Sequence, residues 1–411
     1  MTRMIRYEWK KIWNSRLTQI SVIGCSLFLI FCVYSSITQI EATDPDGRTV
    51  RGMDAAQVMK DTQQRVTLTQ NRVDEIAAQY LAYTKDPSTS SGSETCHYLS
   101  EETYNTFYRP NRDLLSLITN VYEDPGSGQN MKTVLEENFG RNFMQARLER
   151  DIQYIHLLEE RGRLTPAEAA YWEDEVKEIP EYQYGYRKGW DMILDTLTWP
   201  VLLMMIVCIG IAPVFSGEYQ SRCDSLLLCM KYGKSKLIHA KIITAWAFAT
   251  CIYWGITLIY SAVFLILLGT DGADLPIQLK YPALSVGYRL TMSEAVIYAL
   301  VLAYLLTLGI MGITLLLSSL LKSAYSVIIA AFLLILVPTF LSPDTGGYLW
   351  SRVISLLPSK IADFSFQSYT AYSLGTLVIK WPDMAMAVNG AAAVLCSLGS
   401  YHIFRTHQVN K

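Results

Sequence analysis

Long apolar runs alternate with polar segments along the whole chain. A helix needs about 20 predominantly apolar residues to cross a bilayer. Six runs reach or approach that length, and they cover residues 17–40, 193–216, 242–268, 295–320, 325–341 and 385–404. The fifth run is the shortest, and Pro338 lies near its end. The pattern predicts six transmembrane helices.

Residues 1–16 show a different pattern, in which apolar residues recur at helical spacing and lysines and arginines occupy the opposite side. Such a helix lies along a membrane surface that carries anionic lipids. The apolar run that follows is long enough to span and ends without a small-residue cleavage site. We therefore expect a retained first span rather than a signal peptide.

The longest polar segment, residues 41–192, separates the first two predicted spans. Most of it has a helical pattern, and one helix start is marked by Thr165 as N-cap, Pro166 at the first position and Glu168. A segment of about 150 residues can bury a core of its own. The sequence therefore predicts an all-α polytopic membrane protein with six transmembrane helices plus a mostly helical extracellular domain.

The distribution of charge predicts the orientation. Residues 41–195 carry 17 lysines and arginines against 28 aspartates and glutamates, a net charge of −11, whereas the rest of the chain carries 18 against 9. Short basic segments stay on the cytoplasmic side of a membrane, while long domains cross it largely regardless of charge. We expect both termini to be cytoplasmic, together with residues 217–241 and 405–411. The predicted extracellular segments are 41–192, 269–294 and 342–384.

The sequence lacks the common catalytic and nucleotide-binding motifs. It contains no G-x-x-x-x-G-K-[ST], no H-E-x-x-H and no G-x-S-x-G. Cys223 and Cys229 have no histidine partner at metal-ligand spacing. Asp195 and Glu294 lie at the mouths of predicted spans rather than at their middle, which disfavours an ion-coupled carrier. We expect no intrinsic catalytic site, and neither a metal nor a cofactor bound by this chain.

The loop between the second and third spans is amphipathic and basic. It reads FSGEYQSRCDSLLLCMKYGKSK from Phe215 to Lys236. A helix over Glu218–Tyr232 would place Tyr219, Cys223, Leu226, Leu227 and Met230 on one face, and Gly233 would end it. Such a helix is either an interfacial anchor or a lever on which a separate cytosolic ATPase acts.

This organisation resembles the type-2 ABC exporter permeases, the membrane subunits of the ABC-2 family. Members have an amphipathic helix before six spans and a short inner coupling helix after the second span, which docks into the ATP-binding subunit. They often have short helices between the last two spans that re-enter the membrane from outside, which matches residues 342–384. The resemblance covers about residues 1–40 and 193–411. The large domain at 41–192 departs from it, because many members lack such a domain.

The resemblance implies roles for individual residues. Glu218 matches the acidic residue that opens the inner loop, and Lys241 matches the lysine at the entry to the third span. Leu226, Leu227 and Met230 match the apolar ridge of the coupling helix. The ATPase-coupling residues implied in this way are Glu218, Tyr219, Arg222, Leu226, Leu227, Met230, Gly233, Lys234 and Lys241.

The resemblance also implies partners and a function. The chain would be the permease subunit of an ATP-driven exporter in a bacterial cell membrane, with a peptide, lipid-like or drug-like substrate. Its partners would be a cytosolic ATP-binding cassette subunit that holds ATP and Mg²⁺, a second permease chain of the same or a related sequence, and the lipid bilayer. No nucleic acid is expected.

Two alternatives concern the extracellular domain. Its acidic surface would attract cationic ligands such as antimicrobial peptides, or it would merely keep the domain soluble. The whole chain could also be a membrane receptor or scaffold, in which this domain senses a ligand without transport. A receptor would be expected to carry a cytosolic output domain, and the tail RTHQVNK is too short to be one.

Overall fold

The computed structural model describes residues 1–44, 47–93, 96–123, 128–196, 200–282, 285–343, 346–375 and 377–407, without the side chains of 91–98, 224 and 228. The described chain is mostly helical. Its α-helices, in chain order, are α1 (Thr2–Trp13), α2 (Arg16–Thr38), α3 (Met53–Thr62), α4 (Gln70–Lys85), α5 (Glu101–Thr103), α6 (Arg109–Tyr122), α7 (Met131–Glu137), α8 (Phe143–Glu160), α9 (Pro166–Lys177), α10 (Lys188–Asp195), α11 (Pro200–Ile211), α12 (Pro213–Gln220), α13 (Asp224–Cys229), α14 (Lys236–Leu268), α15 (Met292–Leu320), α16 (Ala324–Leu336), α17 (Tyr348–Ser355), α18 (Pro358–Ala362) and α19 (Trp381–Thr406).

The described strands form four small antiparallel ribbons of two strands each, so the chain is not all-α in the strict sense. β1 (Glu41–Thr43) pairs with β2 (Thr49–Arg51), β3 (Val66–Thr67) with β6 (Gln183–Tyr184), β4 (Ser90–Ser93) with β5 (Cys96–Leu99), and β7 (Ala371–Leu374) with β8 (Leu377–Lys380). A π-helical turn covers Tyr104–Tyr108, and 3₁₀ turns cover Ile277–Lys280 and Val337–Phe340.

Five described helices are long and apolar enough to cross a membrane, which is consistent with a multi-pass membrane protein. They are α2, the α11–α12 pair over Pro200–Gln220, α14, α15 and α19. The fifth predicted run forms a shorter apolar helix, because α16 ends at Leu336 and a 3₁₀ turn containing Pro338 follows. The coarse fold prediction is confirmed. The count of six spans and the extracellular placement of 41–192 remain predictions.

The second span begins and ends later along the chain than the apolar run 193–216 indicates. Residues up to Asp195 belong to the separate helix α10, and the span helix starts at Pro200 and continues to Gln220. Pro213 interrupts it, since proline has no backbone N–H. The Ser318 hydroxyl of α15 bridges the break. It donates to the Ala212 carbonyl (2.6 Å) and accepts from the N–H of Phe215 (3.0 Å).

Helix α15 is the central helix of the bundle and packs most extensively against α19. Two glycines of α15 allow the close approach. A Cβ atom at Gly309 would lie 2.6 Å from Asn389 Oδ1, and one at Gly312 would lie 2.7 Å from Ala393 Cα. Small residues at helix interfaces allow this kind of packing between membrane helices.

Residues 41–192, here called the inserted domain, share their core with two segments that connect the long helices. The wholly buried Trp172 of α9 packs edge-on against Tyr288 and Tyr369, with ring centroids 5.2 and 5.0 Å away. Tyr288 precedes α15, and Tyr369 precedes β7. The predicted capping box at the start of α9 is confirmed, with Thr165 and Glu168 bonded to each other's backbone N–H. The domain is therefore docked on the ends of α15 and α19.

An ionic junction reinforces this docking. Glu175 of α9 accepts hydrogen bonds from Arg289 Nη2 (2.9 Å) and Lys380 Nζ (2.9 Å), which belong to the two connecting segments. Burial raises the pKa of Glu175, but the Lys380 ammonium and the Arg289 guanidinium outweigh burial and hold the pKa below the ordinary value of a glutamate. The carboxylate form is therefore the one that the folded protein favours.

Glu175 makes the docking sensitive to acid. A group whose folded pKa is lowered stabilises the protein above its unfolded pKa, and that stability is lost as the pH falls through the folded pKa. We expect wild type to lose stability as the pH falls below about 4, and Glu175→Gln to lack this component. At neutral pH the substitution should cost about 1–3 kcal/mol. Thermal unfolding in detergent between pH 7 and pH 3.5 measures both effects, with Glu181→Gln at an exposed position as the control. Equal pH dependence in wild type and Glu175→Gln would contradict this role.

Candidate functional site

A buried cluster of ion pairs lies at the end of the bundle away from the inserted domain, here called the α1 end. Lys241 of α14 is 0% exposed. Its Nζ atom donates to Glu8 Oε2 of α1 (3.0 Å), to Glu218 Oε1 of α12 (2.7 Å) and to the Val214 carbonyl (2.9 Å). Lys11 of α1 adds a second cation, with its Nζ atom 2.5 Å from Glu218 Oε1. We call these four side chains the Lys241 cluster.

The amphipathic pattern of α1 explains how two of these residues reach the cluster. Ile12 is buried against the bundle, and Glu8 lies one helical turn before it on the same side. The Trp9 ring packs edge-on against Phe248 of α14, with centroids 6.3 Å apart. Gly210 of α11 leaves the space for Phe248, because a Cβ atom there would lie 2.4 Å from the Phe248 ring. Helix α1 therefore packs along the helix bundle, and its acidic side chain points into it.

The Lys241 cluster balances two carboxylates with two ammonium groups. An ammonium has three N–H donors, and all three of Lys241 have an acceptor. Removing charges from water is costly, so a buried ion cluster of this kind is stable only when every member keeps its partners. The consequence is that α1, α12 and α14 are held to one another through a single side chain.

The predicted continuous helix over Glu218–Tyr232 is wrong. Helix α12 ends at Gln220, and α13 is a separate helix of 6 residues. Between them Arg222 has a φ of 56°, the left-handed conformation that few non-glycine residues adopt and that ends helices. The Ser221 hydroxyl donates to the Gly217 carbonyl (2.8 Å), a local bond that also favours a helix end. Glu218 and Tyr219 therefore belong to the last turn of the span helix.

Tyr219 has a packing role. Its hydroxyl donates to the Ser319 carbonyl at the end of α15 (3.1 Å), and its ring lies 5.8 Å from the ring of Phe404 in α19. The prediction that Tyr219 shares one helix face with Leu226 and Met230 is therefore wrong, because α12 ends at Gln220. It connects the end of α12 to the ends of α15 and α19.

The remaining predicted site residues lie in residues 221–235, here called the α13 segment. Leu226 is 68% exposed and Met230 is 58% exposed, while Leu227 is partly buried. Arg222 and Lys234, which flank these apolar residues in the sequence, are exposed. The α13 segment thus presents a small apolar surface with cations beside it, at the α1 end of the bundle.

Gly233 is required by a close backbone contact. A Cβ atom at this position would lie 1.7 Å from the carbonyl oxygen of Leu227. The turn after α13 therefore lies directly against the backbone of that helix, and any side chain at 233 would push the two apart.

Sequence reasoning missed Glu8 and Lys11 as site residues. Glu8 is the single acidic residue within the otherwise basic first 16 residues, and it lies near the apolar side of the predicted helix. A lone carboxylate in that position indicates a buried cationic partner, and this signal is visible in the sequence. The sequence does not show which residue the partner is, because Lys241 lies 233 positions further along the chain.

The described residues contain no group of three or more histidine, cysteine, aspartate or glutamate side chains that could hold a metal ion. Comparison with protein-family models, with curated proteins and with solved structures finds no match for this chain. Function is therefore inferred from the geometry of the Lys241 cluster and the α13 segment.

Replacing Lys241 tests the cluster. In Lys241→Met two carboxylates lose their buried partner, so we expect unfolding to become easier by about 3–5 kcal/mol. Lys234→Met removes an exposed lysine seven positions earlier and should change stability by less than about 0.5 kcal/mol. Thermal unfolding of the two variants in the same detergent provides the measurement. A Lys241→Met protein as stable as Lys234→Met would show that the cluster contributes nothing to stability.

Replacing Gly233 tests the geometry of the α13 segment. Gly233→Ala should detach the turn from α13 and expose the bonds after Lys231 and Lys234, so trypsin should cleave there at least several times faster. Gly255→Ala in α14 is the matched control, because a Cβ atom at Gly255 meets nothing within 4 Å. Timed digestion followed by mass spectrometry of the fragments gives the rates. Identical rates in the two variants would mean that the turn tolerates a side chain.

Proposed function

We propose that this chain is the membrane-spanning permease subunit of an ATP-driven transporter, resembling the type-2 ABC exporters. A separate cytosolic ATPase subunit would supply the energy and would hold ATP and Mg²⁺. The observation that carries the proposal is the exposed α13 segment, which is fixed on both sides to helices that meet at Lys241.

The connection between the α13 segment and the bundle suits the transmission of force. The segment joins α12 directly to α14, and the Lys241 cluster holds the ends of those two helices together. Glu8 and Lys11 add α1 to the same unit. A push on the α13 segment would therefore displace α1, α12 and α14 as one body, rather than bend a flexible loop.

The surface of the α13 segment suits a protein partner. Large exposed apolar side chains next to one another mark interaction sites, and a few central apolar anchors dominate binding energy in many interfaces. Leu226 and Met230 are exposed apolar side chains within five positions of each other, and the exposed cations Arg222 and Lys234 flank them in the sequence. An ATPase subunit with an apolar groove and an acidic rim would fit this surface.

The distribution of charges in the helices agrees with a transporter that does not couple to ions. The five long apolar helices carry aspartate, glutamate, lysine and arginine near their ends, and none in their middle turns. Ion-coupled carriers use such residues inside the membrane. The power source would then be the partner ATPase.

The remaining parts of the proposal follow the resemblance and the charge pattern. The α1 end and both termini would be cytoplasmic, and the inserted domain would lie outside the cell. Two permease chains, identical or related, would enclose the path of a peptide, lipid-like or drug-like substrate.

A receptor or scaffold is the second candidate, and one contact favours it. The inserted domain is docked on the ends of α15 and α19, which are joined there by the Tyr298 hydroxyl donating to Asp383 (2.7 Å). A ligand on the domain could therefore act on the helices without any transport. A receptor would not need an ATPase at the α13 segment, so the two candidates differ in their partner.

Copurification distinguishes the permease subunit from the receptor or scaffold. Affinity-tagged wild-type chain, expressed in its own cells and extracted in mild detergent, should bring down an ATPase subunit, detected by mass spectrometry and by ATP hydrolysis in the eluate. Leu226→Glu with Met230→Glu should reduce the recovered ATPase at least tenfold, because charges would replace the apolar anchors. Thr406→Glu places one new charge at an exposed position at the α1 end and should leave recovery unchanged. Absence of ATPase from the wild-type eluate would favour the receptor.

A further inference from the structure

A polar cavity of about 660 Å³ lies where the inserted domain meets the segment that follows α16. Among the described residues, four cationic side chains and one carboxylate, that of Asp363, line it. The cations are Arg161, Arg163, Arg352 and Lys360. We call this space the basic cavity.

The charge of the residues that line the basic cavity is opposite in sign to the net charge of the domain around it. Residues 41–195 carry a net charge of −11, yet the cavity between this domain and residues 343–381 gathers cations. Clefts lined by one sign of charge concentrate ligands of the other sign. The overall composition of the domain, which points to cationic ligands, therefore does not describe this cavity.

Arg352 is the most buried of the four cations, at 6% exposed. Its Nη2 atom donates to Glu168 Oε2 (2.9 Å) and to the Arg163 carbonyl (2.8 Å). The Tyr348 ring lies 4.5 Å from its guanidinium carbon. These contacts fix the orientation of the guanidinium group.

One donor of this fixed group is unused. Arg352 Nε is buried and has no hydrogen-bond partner among the described residues. Leaving a buried charged donor without an acceptor is costly, and such atoms in folded proteins call for an explanation. Arg352 is therefore a buried positive charge that its contacts among the described residues satisfy only in part, and a negative charge in the cavity that Arg352 lines would stabilise it through space.

Helix α17 connects the basic cavity to an apolar surface. Its residues Ser351, Arg352 and Ser355 line the cavity, while Leu349 and Val353 on its other side are exposed. Lys360 of α18 donates to the Thr339 carbonyl (3.2 Å) in the 3₁₀ turn that follows α16, and the neighbouring Phe340 is 88% exposed. The cavity therefore opens beside the apolar end of the bundle, where membrane lipid would lie.

The geometry points to a binding site for a phosphate group in the basic cavity, supplied by an anionic phospholipid whose chains lie against the exposed side of α17. Arginine is the preferred residue for phosphate, since its planar fork matches two phosphate oxygens. Arg161 and Lys360 add charge at the cavity wall. Free phosphate shares the headgroup's chemistry and is the other source of such a ligand. The inference is independent of ATP-driven transport.

The test uses the full-length chain in detergent and three probes. These are dioctanoyl-phosphatidylglycerol, dioctanoylglycerol with the same chains but no phosphate, and inorganic phosphate. Titration with each probe, followed by the thermal unfolding midpoint, gives an apparent Kd. We expect saturable stabilisation by dioctanoyl-phosphatidylglycerol, with dioctanoylglycerol at least tenfold weaker. Phosphate alone binding as tightly as the lipid would identify free phosphate as the ligand.

Variants locate the site. Replacing Arg352 would also leave the buried Glu168 carboxylate without its cationic partner, so the fold itself would be at risk. Arg161→Gln with Lys360→Gln instead changes two less buried cations of the cavity and should weaken dioctanoyl-phosphatidylglycerol binding about tenfold. Arg48→Gln with Arg112→Gln removes the same charge from exposed positions of the domain that do not line the cavity, and should bind like wild type.

The proposal is overturned by either of two results. One is equal binding of dioctanoyl-phosphatidylglycerol and dioctanoylglycerol, which would show that the acyl chains alone are recognised. The other is an unchanged Kd in the Arg161→Gln, Lys360→Gln protein when its midpoint without lipid equals that of wild type.

Discussion

The ammonium group of Lys241 is the interaction on which the α1 end of the molecule depends. Three helices meet at this one nitrogen atom. Helix α14 supplies the ammonium group, α1 supplies the Glu8 carboxylate, and α12 supplies the Glu218 carboxylate and the Val214 carbonyl. Because the group is fully buried, the alternative to these bonds is an uncompensated charge rather than a hydrated one. The free energy therefore favours the assembled arrangement of α1, α12 and α14 strongly over any partly opened one. This arrangement also determines the position of the short α13 segment, because its two ends continue into α12 and α14, which the Lys241 cluster connects.

The other end of the bundle follows a different physical principle. There the inserted domain is joined to the long helices by a shared apolar core, in which Trp172 contacts Tyr288 and Tyr369, and by charged side chains at the edge of that core. Both connecting segments lead directly into long helices, α15 and α19, which are themselves packed closely through glycines. The bundle is thus held at one end by a buried ionic cluster and at the other by a folded domain. Such an arrangement suits a protein in which a structural change at one end is transmitted to the other end.

Local charge matters more than net charge in this molecule. The inserted domain is acidic as a whole, yet arginine and lysine line the cavity at its contact with α17, and one buried guanidinium donor there has no hydrogen-bond partner in the part of the chain that the structure describes. The first 16 residues are basic as a whole, yet their single carboxylate accepts a hydrogen bond from the buried Lys241. In both cases the exceptional residues lie at a junction between elements, where desolvation strengthens electrostatic interactions. Total charge therefore does not describe the local charge at these junctions.

The sequence by itself determined the long apolar helices, the amphipathic α1 and the capping box at Thr165. Each depends on residues close together in the chain: the length of an apolar run, the spacing of apolar positions, or a side chain and a backbone three residues away. The family resemblance, rather than the pattern of residues, singled out Glu218 and Lys241. The sequence did not determine that they share a buried cluster with Glu8 and Lys11, nor that the helix after Glu218 stops within one turn. Nor did it determine that cations from 161 and 360 line one cavity. These features join residues that are distant in the chain, and the energy of a charge depends on burial and partners that only the tertiary structure creates.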